Sequence, residues 1–119
     1  MRILFLGDVV GLSGTSKILK NLKSEIEKKN IDFVIVNGEN SSSSGVGINI
    51  DTCKDFYNCG VNVITTGNHV WDQKEILNFI ENENRLLRPY NLYEPCPGKG
   101  FGIFETSKNI RVGVLNLMG

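Results

Sequence analysis

The chain has 119 residues, 40 % apolar and 22 % charged, a balance that buries a core and excludes a natively disordered segment. Thirteen basic and thirteen acidic side chains give a formal net charge of zero. That lacks the basic surplus by which an extended nucleic-acid footprint is held, and it leaves a small phosphorylated ligand admissible.

Arg2 to Gly7 is a short apolar run ended by glycine, which reads as a fully buried strand of a parallel sheet. A glycine-containing turn follows from Val9 to Gly14. Ile18, Leu19, Leu22 and Ile26 then recur at helical spacing among lysines, predicting an amphipathic helix over 15–29 with Ser13 or Thr15 as its cap. Phe33 to Val36 lies in a second strand, Asp32 to Asn37. Gly38 to Gly47 is a Gly/Ser loop. Asp51 is placed to cap a short helix reaching about Asn58, which Gly60 stops. Val61 to Thr66 is β-branched and reads as a third strand. After Gly67-Asn-His-Val-Trp71, the spacing of Asp72 and Glu75 is that of a capping box before Ile76, Leu77 and Ile80, giving a third helix to about Asn82. The stretch from Arg88 to Gly100 is turn-rich. Phe101 to Glu105 and Ile110 to Leu117 read as a hairpin or the start of a second sheet.

The order βαβαβα predicts an α/β fold with a parallel sheet. The three cysteines, Cys53, Cys59 and Cys96, match no zinc or redox spacing and read as free thiols. The N-terminus lacks the three-part signature of a signal peptide, and no window is apolar for the ~18 residues a membrane helix needs. The expectation is a cytoplasmic protein without membrane contact. The sequence is compatible with a homo-oligomer.

Ligands of open parallel sheets bind beyond the carboxyl ends of the strands. Here those ends are Gly7-Asp8, Asn37-Gly38-Glu39-Asn40 and Gly67-Asn68-His69. Any one of these groups alone reads as an ordinary turn, cap or surface residue. Together they bring two carboxylates, two amides and the only histidine to one rim, a donor set suited to Mg²⁺, Mn²⁺, Fe²⁺ or Zn²⁺. A bridging carboxylate holds two such ions about 3.5–4 Å apart in phosphoester hydrolysis.

Gly7-Asp8-Val9-Val10-Gly11, Asn37-Gly38-Glu39-Asn40 and Gly67-Asn68-His69-Val70-Trp71-Asp72 resemble successive motifs of the metallophosphoesterase superfamily. They are most similar to the YmdB-like 2′,3′-cyclic-nucleotide 2′-phosphodiesterases. Leu87-Arg-Pro-Tyr-Asn91, Pro97-Gly-Lys-Gly100 and Asn116-Leu-Met-Gly119 continue that likeness to the end of the chain. The resemblance implies half of an αββα sandwich, with residues 1–119 forming the N-terminal portion of a calcineurin-like domain. It implies two divalent metal ions (Fe, Mn or Mg) and a small phosphodiester or cyclic-nucleotide substrate. By the same resemblance Asp8 binds the first ion, Glu39 bridges both, Asn68 binds the second, and Asn40 supports the metals or the phosphate. His69 faces the scissile phosphate as catalytic group, and a metal-bound hydroxide attacks phosphorus in line. Family members run to roughly twice this length and draw three further histidines from their second half. This chain has none after His69. The alternative is therefore a catalytically inactive remnant, or a half-domain that needs a separate C-terminal part.

Rival chemistries fit less well. Val9 occupies the second glycine position of a dinucleotide fingerprint, and Gly14-Thr15-Ser16 lacks the lysine of a phosphate-binding P-loop. No Gly-x-Ser-x-Gly elbow surrounds Ser41 to Ser44. No cysteine sits at a strand end for pairing with His69.

Overall fold

The computed structural model describes residues 1–119. Four strands, β1 (Ile3–Leu6), β2 (Phe33–Asn37), β3 (Val63–Thr65) and β4 (Leu86–Leu87), form a parallel sheet in the order β1-β2-β3-β4. They are connected by α1 (Gly11–Lys29), α2 (Ile50–Cys59) and α3 (Ile76–Asn82). Strands β5 (Phe101–Glu105) and β6 (Arg111–Leu115) form a separate antiparallel hairpin.

Because each strand pairs with the next in sequence, every right-handed crossover lays its helix on the same side of the sheet. The two cores follow from the period-2 alternation of the strands. Leu4, Leu6, Val34, Val36, Ile64 and Leu86 pack with Leu22, Cys53, Phe56, Ile76 and Ile80 of the helices. The intervening residues Phe33, Ile35, Val63 and Leu87 pack with Phe104, Val112 and Val114 of the hairpin. The Phe33 and Phe104 rings meet at 6.2 Å. A latch at the far end joins Lys108, in the hairpin turn, to the Asp32 carboxylate before β2.

The hairpin covers β2 to β4 and stops short of β1. On that side Ile3 and Phe5 are 46 % and 58 % exposed, and an open groove of ≈ 550 Å³ runs between them and Val112 to Leu117. The expectation of a fully buried first strand is thus corrected: β1 is an edge strand, half-buried toward α1 through Leu4 and Leu6 and exposed on its other face. A local apolar run carries no information about which strand ends up at the edge.

Other boundaries shift for identifiable reasons. Helix α1 begins at Gly11, inside the expected turn, and neither Ser13 nor Thr15 caps it; Val10 occupies the cap position without a side-chain bond. Its start is fixed by the Gly11 N–H donating to Asn40 O at 2.8 Å. The Thr15 hydroxyl instead donates to Ser41 O at 3.0 Å. At the other end Asn30, with φ 50°, closes α1 while Lys28 and Lys29 lie in its last turn, as the helix dipole favours. Gly60, with φ 113°, ends α2 in a conformation that side chains disfavour. Asp51 lies in the first turn of α2, past its cap position, Asn49. The capping box before α3 does not form: α3 starts at Ile76 without a side-chain cap. Glu75 Oε1 accepts the Ile50 N–H instead. Strand β4 lies in a stretch assigned no element from sequence, since two residues show no periodicity. No helix is long and apolar enough to cross a membrane.

Candidate functional site

Three loops leave the carboxyl ends of β1, β2 and β3, and backbone bonds tie the first two together. The Val9 N–H donates to Asn37 O at 3.1 Å, and Val10 forms a parallel bridge with Asn40. Between the strand and that bridge the chain turns sharply, and Asp8 takes φ 38°. This is the left-handed region, which costs a non-glycine residue energy and which Asp tolerates better than most. Strain of this kind concentrates at functional sites. The turn leaves the Asp8 carboxylate exposed, with Oδ1 accepting from Asn40 Nδ2 at 2.7 Å.

Glu39 connects the second loop to the third. Its N–H donates to Asn37 Oδ1 at 3.2 Å, and its carboxylate lies directly over the Cα of Gly67. A Cβ on Gly67 would sit 2.1 Å from Glu39 Oε2 and 2.7 Å from Oε1. Only glycine permits this approach, at the residue that immediately precedes Asn68 and His69. Glu39 Oε2 is buried and has no hydrogen-bond partner. A buried acceptor without a donor is costly, and a cation at that oxygen would satisfy it.

Asn68 is exposed and His69 half-buried. His69 Nδ1 is 2.7 Å from Asp72 Oδ2. The segment is held by buried Val70 beneath it and by the Asp72 N–H donating to His69 O at 3.2 Å. The Ser-rich loop closes the rim from the other side. Gly47, with φ 76°, packs against His69 O and Asp72 Cβ. Gln73 Nε2 donates to Val46 O at 2.9 Å. Within that loop Ser41 Oγ donates to Gly38 O and Ser42 bonds to Ser44 and to Val46 O, so three of its four serines are committed to holding its shape.

The expected site residues therefore fall into a connected rim: Asp8 to Asn40 by hydrogen bond, Glu39 to Gly67 by contact, and Asn68 with His69 in the next two positions. Two carboxylates and two amides offer oxygen donors that fit Mg²⁺, Mn²⁺ or Fe²⁺. No three His, Cys, Asp or Glu side chains converge anywhere in the chain.

A family model described as YmdB-like protein matches residues 4–119. The chain belongs to the YmdB-like family. It is 39 % identical over 119 residues to a Bacillus subtilis (strain 168) protein named 2′,3′-cyclic-nucleotide 2′-phosphodiesterase, covering all of this chain and 44 % of that one. It is 37 % identical over 123 residues to a putative phosphatase/phosphodiesterase of Mycoplasma pneumoniae, again over all of this chain and 43 % of the relative. Among solved structures, a hypothetical protein from Thermus thermophilus superposes with a TM-score of 0.90 at 34 % identity, over 100 % of this chain and 45 % of the other. A novel phosphatase from Mycoplasma pneumoniae superposes with a TM-score of 0.86 at 38 % identity, over 98 % of this chain and 42 % of that one. The chain thus spans under half the length of these YmdB-like relatives.

Asp72 and Asn116 are engaged more closely than their sequence context indicates. Asp72 reads as a helix cap and is instead the partner of His69. Asn116 is buried at the end of β6, where Nδ2 donates to Thr66 O at 2.8 Å and to Leu87 O at 3.1 Å. Its own carbonyl accepts the Tyr90 N–H at 2.7 Å, and its N–H donates to Gly100 O at 2.9 Å. An amide closing an apolar strand was the one available signal, since such a group must find partners when buried.

Proposed function

We propose that this chain carries the first three ligand-bearing loops of a phosphoesterase centre. That centre hydrolyses a phosphodiester, with a 2′,3′-cyclic nucleotide as substrate and two divalent ions (Fe, Mn or Mg) as cofactors. The observation that carries the reading is the unpartnered, buried Glu39 oxygen lying over Gly67, between the Asp8–Asn40 pair and Asn68-His69. The names of the Bacillus and Mycoplasma relatives support the reaction class. In this reading Asp8, Glu39, Asn40 and Asn68 hold the ions, which supply Lewis acidity toward the phosphoryl oxygens when bound. His69 stands beside the phosphate and protonates the leaving oxygen.

A second reading is favoured by the uncovered groove beside β1. In it the 119 residues are inactive alone and complete a site only with a further C-terminal part. Hydrolysis of 2′,3′-cyclic AMP by the purified chain, with Mn²⁺ and then with excess chelator, separates the two. Mn²⁺-dependent turnover that is lost in His69→Ala supports a self-sufficient site. No turnover, from a chain folded by circular dichroism, supports the second reading. Turnover indifferent to chelator overturns the metal roles, and wild-type rates for Glu39→Gln in a full-length context overturn the role of that carboxylate.

A further inference from the structure

The His69–Asp72 pair is built more deliberately than a surface ion pair. The two residues between its partners are anchors: Val70 is fully buried, and Trp71 packs against the same core. Asp72 is also backed from behind, where the Gly47 backbone lies close to its Cβ. It caps nothing, because α3 begins four residues later and has no acidic residue in its first turn. Its carboxylate is engaged with the imidazole at 2.7 Å, while both side chains remain about 40 % exposed at the rim.

The chemistry of the pair decides the proton's place. An ionised carboxylate can only accept, so the neutral ring must donate Nδ1–H to Asp72 Oδ2. Nε2 is then the lone-pair nitrogen and the only ring atom left for exchange with a ligand. An imidazole free in water has no partner enforcing that choice. Ring nitrogens of functional histidines are commonly set in this way by the bond the other nitrogen makes.

We infer that Asp72 is the positioning residue for His69. It holds the Nδ1–H tautomer and the ring plane, so that Nε2 is the atom presented to a phosphoester at the strand-end rim. In hydrolysis Nε2–H of the charged ring would pass its proton to the leaving oxygen as the P–O bond breaks. The ring would relax to the tautomer Asp72 already holds, with no proton moving at Nδ1. This role rests on the proposed phosphoesterase reading, but the tautomer itself does not.

His69 is the only histidine in the chain, so long-range ¹H–¹⁵N correlation of the ¹⁵N-labelled chain, recorded with the ring neutral, reports this ring alone. The expected spectrum has a protonated Nδ1 and an unprotonated Nε2. Asp72→Ala should lose that preference while the backbone spectrum away from the loop is retained. Asp72→Asn should lose it too, since its amide NH₂ can donate to Nδ1 and stabilise the opposite tautomer. Glu81→Ala, on exposed α3 surface, should leave it unchanged. A wild-type ring protonated at Nε2, or a preference that survives Asp72→Ala, overturns the inference. In a full-length context, Asp72→Asn should lower kcat on the order of 100-fold with little change in KM. A normal Nδ1–H tautomer together with no effect of Asp72→Asn on turnover would refute the catalytic role of the pair. The tautomer with no phosphodiester turnover by the full-length protein would instead count against the proposed function.

Discussion

Gly67→Ala tests the site with little confusion from folding. The added Cβ would stand 2.1 Å from Glu39 Oε2 and 2.6 Å from its Cδ. Ordinary contact begins near 3.4 Å, so the carboxylate must withdraw by roughly 1.3 Å or swing away. It can do so, because it is the end of a flexible side chain with no hydrogen bond to lose at Oε2. Exposing that orphan acceptor to water offsets much of the steric cost, leaving a net stability change within about 1 kcal/mol. Function should suffer more, because a displacement of about 1 Å at a reacting centre costs on the order of 100-fold in rate. Gly100→Ala provides the contrast, since its Cβ would meet the Tyr90 backbone at 2.3 and 2.6 Å. Backbone cannot step aside, and a loss of about 3 kcal/mol is expected. Urea unfolding of both variants, with Mn²⁺ titration calorimetry and full-length phosphodiester hydrolysis of Gly67→Ala, completes the comparison. If Gly67→Ala loses as much stability as Gly100→Ala, or keeps wild-type metal affinity and rate, the placement of Glu39 over Gly67 is not what organises the site.

The hydrogen bond from Lys108, followed by that from the Arg2 backbone N–H, lowers the Asp32 pKa below the ordinary carboxylate range. The stabilisation this gives is complete above the unfolded-state carboxylate pKa and is lost as pH falls through the lower folded value. Unfolding midpoints measured against pH should therefore fall in the acid range, and Asp32→Asn should flatten that fall. Burial holds the Cys53 and Cys59 thiols above the usual thiol pKa, so native protein should react with a disulfide reagent at neutral pH through half-buried Cys96 alone. Complete labelling of all three before unfolding would contradict the packing of α2. Asn116→Ala leaves two buried carbonyls, Thr66 O and Leu87 O, without the Nδ2 donor, and should cost about 1–3 kcal/mol by denaturant titration.

The first three strands of the parallel sheet, the three helices and the shared side of the strand ends were legible because each depends on local pattern plus a general rule. Apolar runs ended by Gly-Asp, Asn-Gly-Glu-Asn and Gly-Asn-His mark strand ends, and parallel sheets put all such ends on one side. What escaped depends on distant partners. The exposure of Ile3 and Phe5 is set by how far a hairpin about a hundred residues later reaches across the sheet. Thr15 reads as a cap by its place before a helix, yet its hydroxyl is taken by Ser41 across the fold. Asp72 and Glu75 satisfy a capping pattern by spacing, while their carboxylates bond to His69 and Ile50. Strand β4 exists because β3 offers an edge to Leu86 and Leu87, which the sequence around them does not announce.

The single amide of Asn116 joins the ends of β3, β4 and β6, and its backbone engages Tyr90 and Gly100. Segments that meet at one buried residue cannot fray one at a time, because releasing any of them strands polar groups belonging to the others. The amides of Tyr90 and Asn116, with those of the Gly67–His69 turn that begins beside Thr66, should then form one cooperative opening unit in native-state hydrogen exchange. Motion of the hairpin and loosening of the loop that carries His69 would be a single event, with one free energy and one dependence on denaturant.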